Sequence, residues 1–369
     1  MTITAAVTEA PGAEFTLQEV ELEEIRPDEV VVEIAAVGIC HTDLMGRDGV
    51  LPTPFPAVFG HEGAGIVDRV GPAVTAVAPG DHVVLSFDSC GGCQTCLAGH
   101  PYTCYEFVPR NFLASRPDGT TVLSRAGEPL HSHFFGQSSF ATHAVASARN
   151  VVRIPPEIPF EIAAPLGCGV RTGAGAVMTT LCPPAGSTIA VFGTGGVGMS
   201  AVMAARVVGC TTIIGIDLSP ERLELAGELG ATHVVDAGKE DAVEAIRCIT
   251  GHGADYTLEM SGSTVALSQA LESTASGGVC GVVGAPPFGT ELGLDVNMLI
   301  AHGRTMRGIV GGNAVPSVFF PRLISLWQRG LMPWERLIQT FEFDRINEAA
   351  ERSERGEVIK AVMLMPGRG

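Results

Sequence analysis

Along the first part of the chain, apolar positions come in short runs, some alternating with polar ones, and turn formers break them up. Residues 16–20, 29–37, 63–70 and 82–87 are such runs, with Arg26-Pro27-Asp28 and Ala78-Pro79-Gly80-Asp81 between them. Patterning of this kind predicts antiparallel strands that form a barrel or sandwich. Around Pro155 the rhythm changes. A helix-like apolar run over 174–181 and a turn at Pro183-Pro184-Ala185-Gly186 precede a continuous apolar strand at 188–192, the type buried in parallel sheets.

Strand and helix patterns then alternate. A helix pattern runs through Val208, followed by a strand at 212–216 and a helix to Leu229 with Ser219 as N-cap and Pro220 at its first position. Strands at 233–235, 255–259, 279–283 and 305–310 follow, with helices at 241–250 and 264–274. This is the pattern of a doubly wound parallel sheet. Beyond it lie a helix at 316–330, a second helix capped by Asp344 that ends at Gly356, and a strand at 358–364. A last strand outside the alternating series is expected to return to the first domain. The fold class is therefore α/β, with a β-barrel domain over 1–169 and 311–369 and a nucleotide-binding domain over 170–310.

Composition narrows the class. A chain of 369 residues, 46 % hydrophobic with 46 Gly and 24 Pro, suits a turn-rich globular protein of two domains. A formal charge of −17 argues against nucleic-acid or anionic-membrane partners, which need clustered Lys and Arg. No secretory signal pattern opens the chain, and no apolar run reaches the roughly 20 residues of a spanning helix, so a cytoplasmic protein is expected.

The chemistry gathers in three places. Cys40 follows the apolar run 29–37 and begins Cys40-His41-Thr42-Asp43; His61 and Glu62 lie in a Gly-flanked turn; Cys168 lies between two glycines. Two Cys and one His make a ligand set for a catalytic zinc, with Glu62 as a fourth ligand or neighbour and Asp43 placed to orient the His61 ring. Taken singly, Cys40 and Cys168 read more often as buried packing residues and His61 as a satisfied turn residue; the joint context favours the ligand set. Cys90, Cys93, Cys96 and Cys104 are spaced for a closed four-thiolate zinc of structural role. An iron–sulfur cluster uses the same residue type, and disulfides are disfavoured without export. Cys182, Cys210, Cys248 and Cys280 lack ligand spacing and read as packing residues; His131 and His133 read as surface or pocket residues. The stretch 107–137 has few regular signals but several aromatics, Phe112, Phe134 and Phe135, with Phe87 shortly before, and reads as a binding or lid segment.

The third place is Gly193-Thr194-Gly195-Gly196-Val197-Gly198, a G-x-G-x-x-G loop between the strand 188–192 and a helix. There the first glycine permits the tight turn, the second admits the pyrophosphate and the third lets helix pack on strand. Asp217, nineteen residues beyond Gly198, can accept from the adenosine ribose hydroxyls and would repel a 2′-phosphate, which favours NAD over NADP. Arg222 leans the other way.

Together these motifs resemble the zinc-dependent medium-chain alcohol dehydrogenases, along nearly the whole chain. Phe134-Phe135-Gly136-Gln137-Ser138-Ser139-Phe140-Ala141-Thr142 and Val283-Gly284-Ala285-Pro286-Pro287 are similar to segments of the bacterial benzyl and aryl-alcohol branch. The resemblance implies a GroES-like barrel with a Rossmann domain, two zinc ions per chain, NAD, and a homo-oligomer, dimer or tetramer, built by sheet extension. It implies that Cys40, His61 and Cys168 hold the catalytic zinc with Glu62 nearby, and that Thr42 binds the substrate oxygen. Thr172 would touch the nicotinamide side, and His41, Arg222 and Lys360 the cofactor phosphates or ribose; Val197 and Val283 would line the nicotinamide pocket. Many relatives place a relay histidine three residues after the Thr position, and here Met45 stands there. His41 or water is expected to take the proton instead. The expected substrate is a primary aryl or allylic alcohol. A terpene alcohol such as geraniol, a glutathione-adduct formaldehyde dehydrogenase and a non-catalytic zinc- and nucleotide-binding protein are the alternatives.

Overall fold

The structure is a computed structural model and describes residues 1–367. It divides into two compact units. Unit 1 holds Met1–Cys168, Val315–Pro321 and the chain from Trp334 onward; unit 2 holds Gly169–Ala314 and Arg322–Pro333. Besides moving Gly169 into unit 2, the boundaries differ from the sequence expectation in two ways. Residues 311–314 go with unit 2 because Thr179 and Thr180 both donate their hydroxyls to the Gly312 carbonyl, at 2.6 and 3.0 Å. The second division falls after Pro321, inside the helix Pro316–Gln328.

Unit 1 begins with β1 (Thr2–Thr8), β2 (Thr16–Leu22), β3 (Glu29–Gly38), β4 (Ala57–Val58), β5 (Gly63–Val70) and β6 (His82–Leu85). After these come β7 (Leu123–Arg125), β8 (Glu128–Leu130), β9 (His143–Ser147) and β10 (Val151–Arg153). One sheet runs β4-β1-β2-β7-β8. The other is centred on β3, which pairs antiparallel with both β5 and β9. Nearly every residue of β3 is buried, so its Val- and Ala-rich run packs on both faces. Two register shifts against β5, at Val31/Val32 and Ile34/Ala36, mark bulges that bend the strand and sharpen its twist. The strand then delivers Gly38 and Cys40 to the start of the helix His41–Arg47.

Two local expectations are corrected here. The stretch 107–137 carries the helix Phe107–Phe112 and the β7–β8 hairpin. The hairpin turn, Ala126-Gly127, has both residues at positive φ, 52° and 83°, and Ala in that position gives no turn signal in sequence. Asp344 does not cap a helix; it lies inside a 3₁₀ turn, Phe343–Arg345, and the helix Ile346–Glu354 starts after it.

Unit 2 is built on β11 (Thr188–Phe192), β12 (Thr212–Asp217), β13 (His233–Asp236), β14 (Ala254–Glu259), β15 (Thr274–Val282) and β16 (Thr305–Gly308). Their spatial order is β13-β12-β11-β14-β15-β16, and every pairing is parallel. The order reverses beside β11, the place where open parallel sheets bind ligands at their strand ends. Ala190, Phe192, Ile214, Ile216 and Cys280 form part of the buried core there. Cys210 is buried as well, but Cys182 and Cys248 are exposed and so are not the packing residues expected. All four residues of the edge strand β16 are exposed.

The chain closes with β17 (Ile338–Glu342) and β18 (Lys360–Leu364). β18 pairs antiparallel with the end of β3, through Val362↔Gly38 and Met363↔Val37, and parallel with β17. Lys360 is thereby carried to the end of β3 from which Cys40 emerges. No helix among the described residues is long and apolar enough to cross a membrane.

Candidate metal centres and dinucleotide loop

Cys40, His61, Glu62 and Cys168 each offer a ligand atom, and these atoms lie within 4.8 Å of one another. All four residues belong to unit 1. Cys40 precedes the helix His41–Arg47, while His61 and Glu62 occupy the non-strand segment between β4 and β5. Cys168 follows a 3₁₀ turn at Ala164–Gly167.

The Asp43 carboxylate organises this corner. Its Oδ1 lies 2.7 Å from His61 Nδ1 and accepts from the Gly60 amide at 3.1 Å, while Oδ2 accepts from the Cys40 amide at 2.9 Å. With Asp43 as acceptor, Nδ1 carries the ring proton and Nε2 keeps its lone pair. His61 Nε2 is buried and has no hydrogen-bond partner. A buried nitrogen base aimed at two thiols and lacking a donor fits a metal ligand. The Cys40 thiol is pushed well below its ordinary range, first by its hydrogen bond with Cys168, with burial opposing. Thiolate is the form that binds zinc. The residues present therefore fit the metal.

Glu62 is fully buried and is held from the opposite side. Lys360 Nζ donates to both of its oxygens at 2.9 Å and to the Ile39 carbonyl at 3.0 Å. Burial alone would lower the Lys360 pKa; the Glu62 carboxylate outweighs it, and the pKa is raised. The three N–H directions of Lys360 are taken up by Glu62 and Ile39. Gly38 leaves the room: a Cβ there would fall 2.0 Å from Glu62 Oε2.

The remaining residues of the opening motif surround the corner. Thr42 Oγ1 lies 3.7 Å from Cys40 Sγ. His41 is exposed in the first helical turn, and Met45 is buried in the unit 1 core. The Phe135 ring stacks on the His61 ring with centroids 4.4 Å apart and planes 22° apart. Phe107, Phe112 and Phe134 make edge contacts with Phe135. Phe134 is core, whereas Phe135 is half-buried in a left-handed backbone conformation, φ 51°.

The second metal group is Cys90, Cys93, Cys96 and Cys104, again with ligand atoms within 4.8 Å of one another. The Cys90–Cys96 and Cys93–Cys104 sulfur distances are 3.9 and 4.0 Å. A tetrahedron with metal–sulfur bonds of about 2.3 Å has edges of about 3.8 Å, so the four sulfurs are spaced for zinc and are far too distant for disulfides. The amides of Cys93, Cys90 and Glu106 donate to these sulfurs at 3.2–3.4 Å, as thiolates require. The Cys93 thiol is pushed down to about 5, first by its hydrogen bond with Thr95.

In unit 2 the loop Gly193–Gly198 joins β11 to the helix Gly196–Val207. Gly193 has φ 88°, and a Cβ on Gly198 would fall 1.9 Å from the Gly193 carbonyl oxygen. A Cβ on Gly195 would meet nothing within 4 Å. This open space at a helix N-terminus fits a pyrophosphate. Val197 lies in the first turn of the same helix. Asp217 ends β12; its Oδ2 accepts from the Thr194 amide and hydroxyl at 2.7 and 3.0 Å, tying it to the loop. Arg222 lies three residues past the N-cap Ser219, whose hydroxyl accepts from its amide. Thr172 is buried in the helix Gly169–Gly175, and Val283 directly follows β15.

Sequence reasoning missed Gln137 and Glu259. Buried Glu259 accepts from the amides of Ser261 and Gly262 at 2.6 and 2.9 Å, shaping the loop after β14. A signal did exist for the Lys360 pairing: it is the lone charge in the apolar 358–364 run, and a cation there needs a buried partner.

The comparisons agree with this geometry. The family model for the alcohol dehydrogenase GroES-like domain matches residues 26–156, and that for zinc-binding dehydrogenases matches residues 196–329. A geraniol dehydrogenase of Castellaniella defragrans is 44 % identical over 362 residues, covering 98 % of this chain and 97 % of the relative. The crystal structure of benzyl alcohol dehydrogenase from Acinetobacter calcoaceticus superposes with a TM-score of 0.96 at 43 % identity, covering 99 % of each chain. An alcohol dehydrogenase zinc-binding domain protein from Burkholderia ambifaria gives 0.97 at 49 % identity, also over 99 % of each chain. The chain belongs to the zinc-dependent medium-chain alcohol dehydrogenases.

Proposed function

We propose that the protein oxidises a primary alcohol on a carbon next to an aromatic ring or double bond, of benzyl-alcohol type, to the aldehyde, using NAD and two zinc ions per chain. The observation that carries the substrate class is the aromatic wall beside the donor set, Phe135 stacked on His61 with Phe107 and Phe112 behind it. Flat apolar substrates suit such a surface. The likeness to a benzyl alcohol dehydrogenase structure supports it. Geraniol is the second reading, favoured by the 44 % identical geraniol dehydrogenase.

Zinc held by Cys40, His61 and Cys168 would supply a Lewis acid for the alcohol oxygen, and NAD would accept the hydride. The chain's own residues do the rest. Asp43 holds His61 in the tautomer that presents Nε2. Thr42, hydroxyl-bearing and next to Cys40, accepts the alcohol proton. His41, exposed and adjacent, passes it on in place of the histidine that Met45 replaces. Gly195 and the helix behind it take the pyrophosphate, Asp217 the ribose hydroxyls, and Thr172, Val197 and Val283 the nicotinamide end, with Arg222 near the adenosine. The protein acts in the cytoplasm as a homo-oligomer, a dimer or tetramer. The exposed edge strand β16, with Met306 and nearby Ile300 exposed, is the surface for sheet extension.

Metal analysis with an assay of NADH formation tests this reading. Two zincs per chain and turnover of benzyl alcohol are expected; zinc in the four-cysteine loop alone would favour a binding protein.

A further inference from the structure

The segment that carries His61 has no sheet to satisfy it. Residues 59–62 lie between β4 and β5, all are buried, and their amides and carbonyls need partners. One side chain supplies one of these bonds and a second to the Gly63 amide just beyond the segment. Gln137 is 1 % exposed. Its Nε2 donates to the His61 carbonyl at 3.0 Å and to the Ser86 carbonyl, at the end of β6, at 3.2 Å. Its Oε1 accepts from the Gly63 amide at 3.1 Å and from the Ser139 hydroxyl at 2.9 Å. Two donors and two acceptor positions are thus all used, which is the full capacity of a carboxamide. The backbone is gripped on both sides of Glu62, at the His61 carbonyl and at the Gly63 amide.

The segment around Gln137 is shaped for this task. Phe135, Gly136 and Ser138 have φ of 51°, 64° and 50°, three left-handed residues within four positions. Such a run persists only where its surroundings over-determine it, and these conformations cluster at functional sites. Here Ser138 Oγ donates to the Val58 carbonyl at 2.6 Å and accepts from the Phe134 amide at 2.8 Å. The Ser139 amide donates to Gly60 O at 2.9 Å, and the Phe140 amide to Phe59 O at 2.9 Å. The turn presses the Phe135 ring against the His61 ring while Gln137 holds the His61 backbone. Asp43 fixes one ring nitrogen. Ring face, ring edge and backbone are therefore held by three separate residues.

We infer that Gln137 is a positioning residue of the Cys40–His61–Cys168 centre: its carboxamide fixes the His61 carbonyl and the Gly63 amide, one on each side of Glu62, and so helps set where His61 Nε2 points. This rests on the reading that the centre holds zinc. Gln137 touches no reacting atom. Partners that orient metal ligands typically contribute 10–100-fold in metal affinity.

The test is zinc release to a chelator, followed separately for the two sites in the wild type and in Gln137→Met, which keeps the length and loses all four bonds. Gln137→Met is expected to release the His61-site zinc about 10-fold faster or more while the four-cysteine zinc leaves at the wild-type rate. With cobalt at the His61 site, its visible absorption bands should shift. A purely structural role would lower the unfolding midpoint and leave site-selective release and the cobalt spectrum unchanged, and that result overturns the inference. Should Gln137→Met fail to fold, Ser139→Ala removes one bond to Oε1 and no contact to His61. It is expected to speed release from the same site several-fold, and a wild-type rate there overturns the inference as well. A wild type that holds zinc only at the four cysteines would defeat the metal reading and this inference together; two zincs in the wild type with unchanged release in the variants defeats this inference alone.

Discussion

Lys360 Nζ and the Glu62 carboxylate meet at 2.9 Å on both oxygens, with the two side chains 8 % and 0 % exposed. A pair this buried is costly to break, since removing one partner strands the other charge. Lys360→Met should destabilise unit 1 by about 3–5 kcal/mol, measured as the urea midpoint multiplied by the m-value. Lys360→Met/Glu62→Gln should recover a large part of the loss. If the double variant is no more stable than the single, the pair is not the source of the effect.

Substitutions at Gly195 and Gly198 should separate cofactor binding from folding. Gly195→Ala meets no protein atom, so its unfolding midpoint should match wild type while NADH affinity falls about tenfold, the methyl entering space meant for the pyrophosphate. Gly198→Ala collides with the Gly193 carbonyl and should lose both stability and affinity. NADH fluorescence titrations and urea melts on the two variants decide.

The proposed preference for NAD rests on the charge of Asp217. Replacing it by Ser should raise kcat/KM for NADP and lower it for NAD, changing their ratio by about 100-fold or more, since the barrier to a 2′-phosphate is removed. The loss on the NAD side includes the bonds from Asp217 to Thr194. A wild-type enzyme that already prefers NADP would refute the assignment.

Acid stability should report on a buried polar pocket in unit 1. His133 is pushed down to about 4, first by burial and then by Arg116, and neither ring nitrogen has a partner. The unfolded chain therefore binds a proton near pH 6.5 that the folded chain refuses until about pH 4, and stability falls as pH drops through that window, by up to about 3 kcal/mol. Glu29 adds to this at lower pH. Burial would raise its pKa, but the bidentate Arg116 holds it below 4.5, so its contribution is present above that value and lost beneath it. His133→Gln should flatten the pH 6.5–4 limb of the urea midpoint and leave the lower one.

The four-cysteine group and the dinucleotide loop were legible in sequence because each depends on residue types at short fixed spacing, as in Cys90-x-x-Cys93-x-x-Cys96, whereas Cys40, His61 and Cys168, far apart in the chain, were legible only as a set. The central strands β11 and β12 were legible because parallel strands buried on both faces are continuously apolar, while the largely exposed edge strands β13 and β16 were placed by the alternation with helices. What escaped was carried by contacts between distant segments. Lys360 reaches Glu62 only through the pairing of β18 with β3, nearly three hundred residues apart in sequence. Gln137 serves His61 across a turn that puts Phe135 and Ser138 in the left-handed region, which neither residue type favours. The β7–β8 hairpin escaped for the same reason at Ala126.

The most direct test of the central claim is kcat/KM for NAD-dependent oxidation of benzyl, cinnamyl, geranyl and ethyl alcohols by the zinc-loaded protein, followed as NADH. The account predicts benzyl and cinnamyl alcohols above geraniol, and ethanol at least about 100-fold below them, a difference of about 2.7 kcal/mol in transition-state binding at the aromatic wall. Geraniol as the best substrate would move the assignment to terpene alcohols; ethanol as the best, or no turnover of any alcohol, would contradict the account.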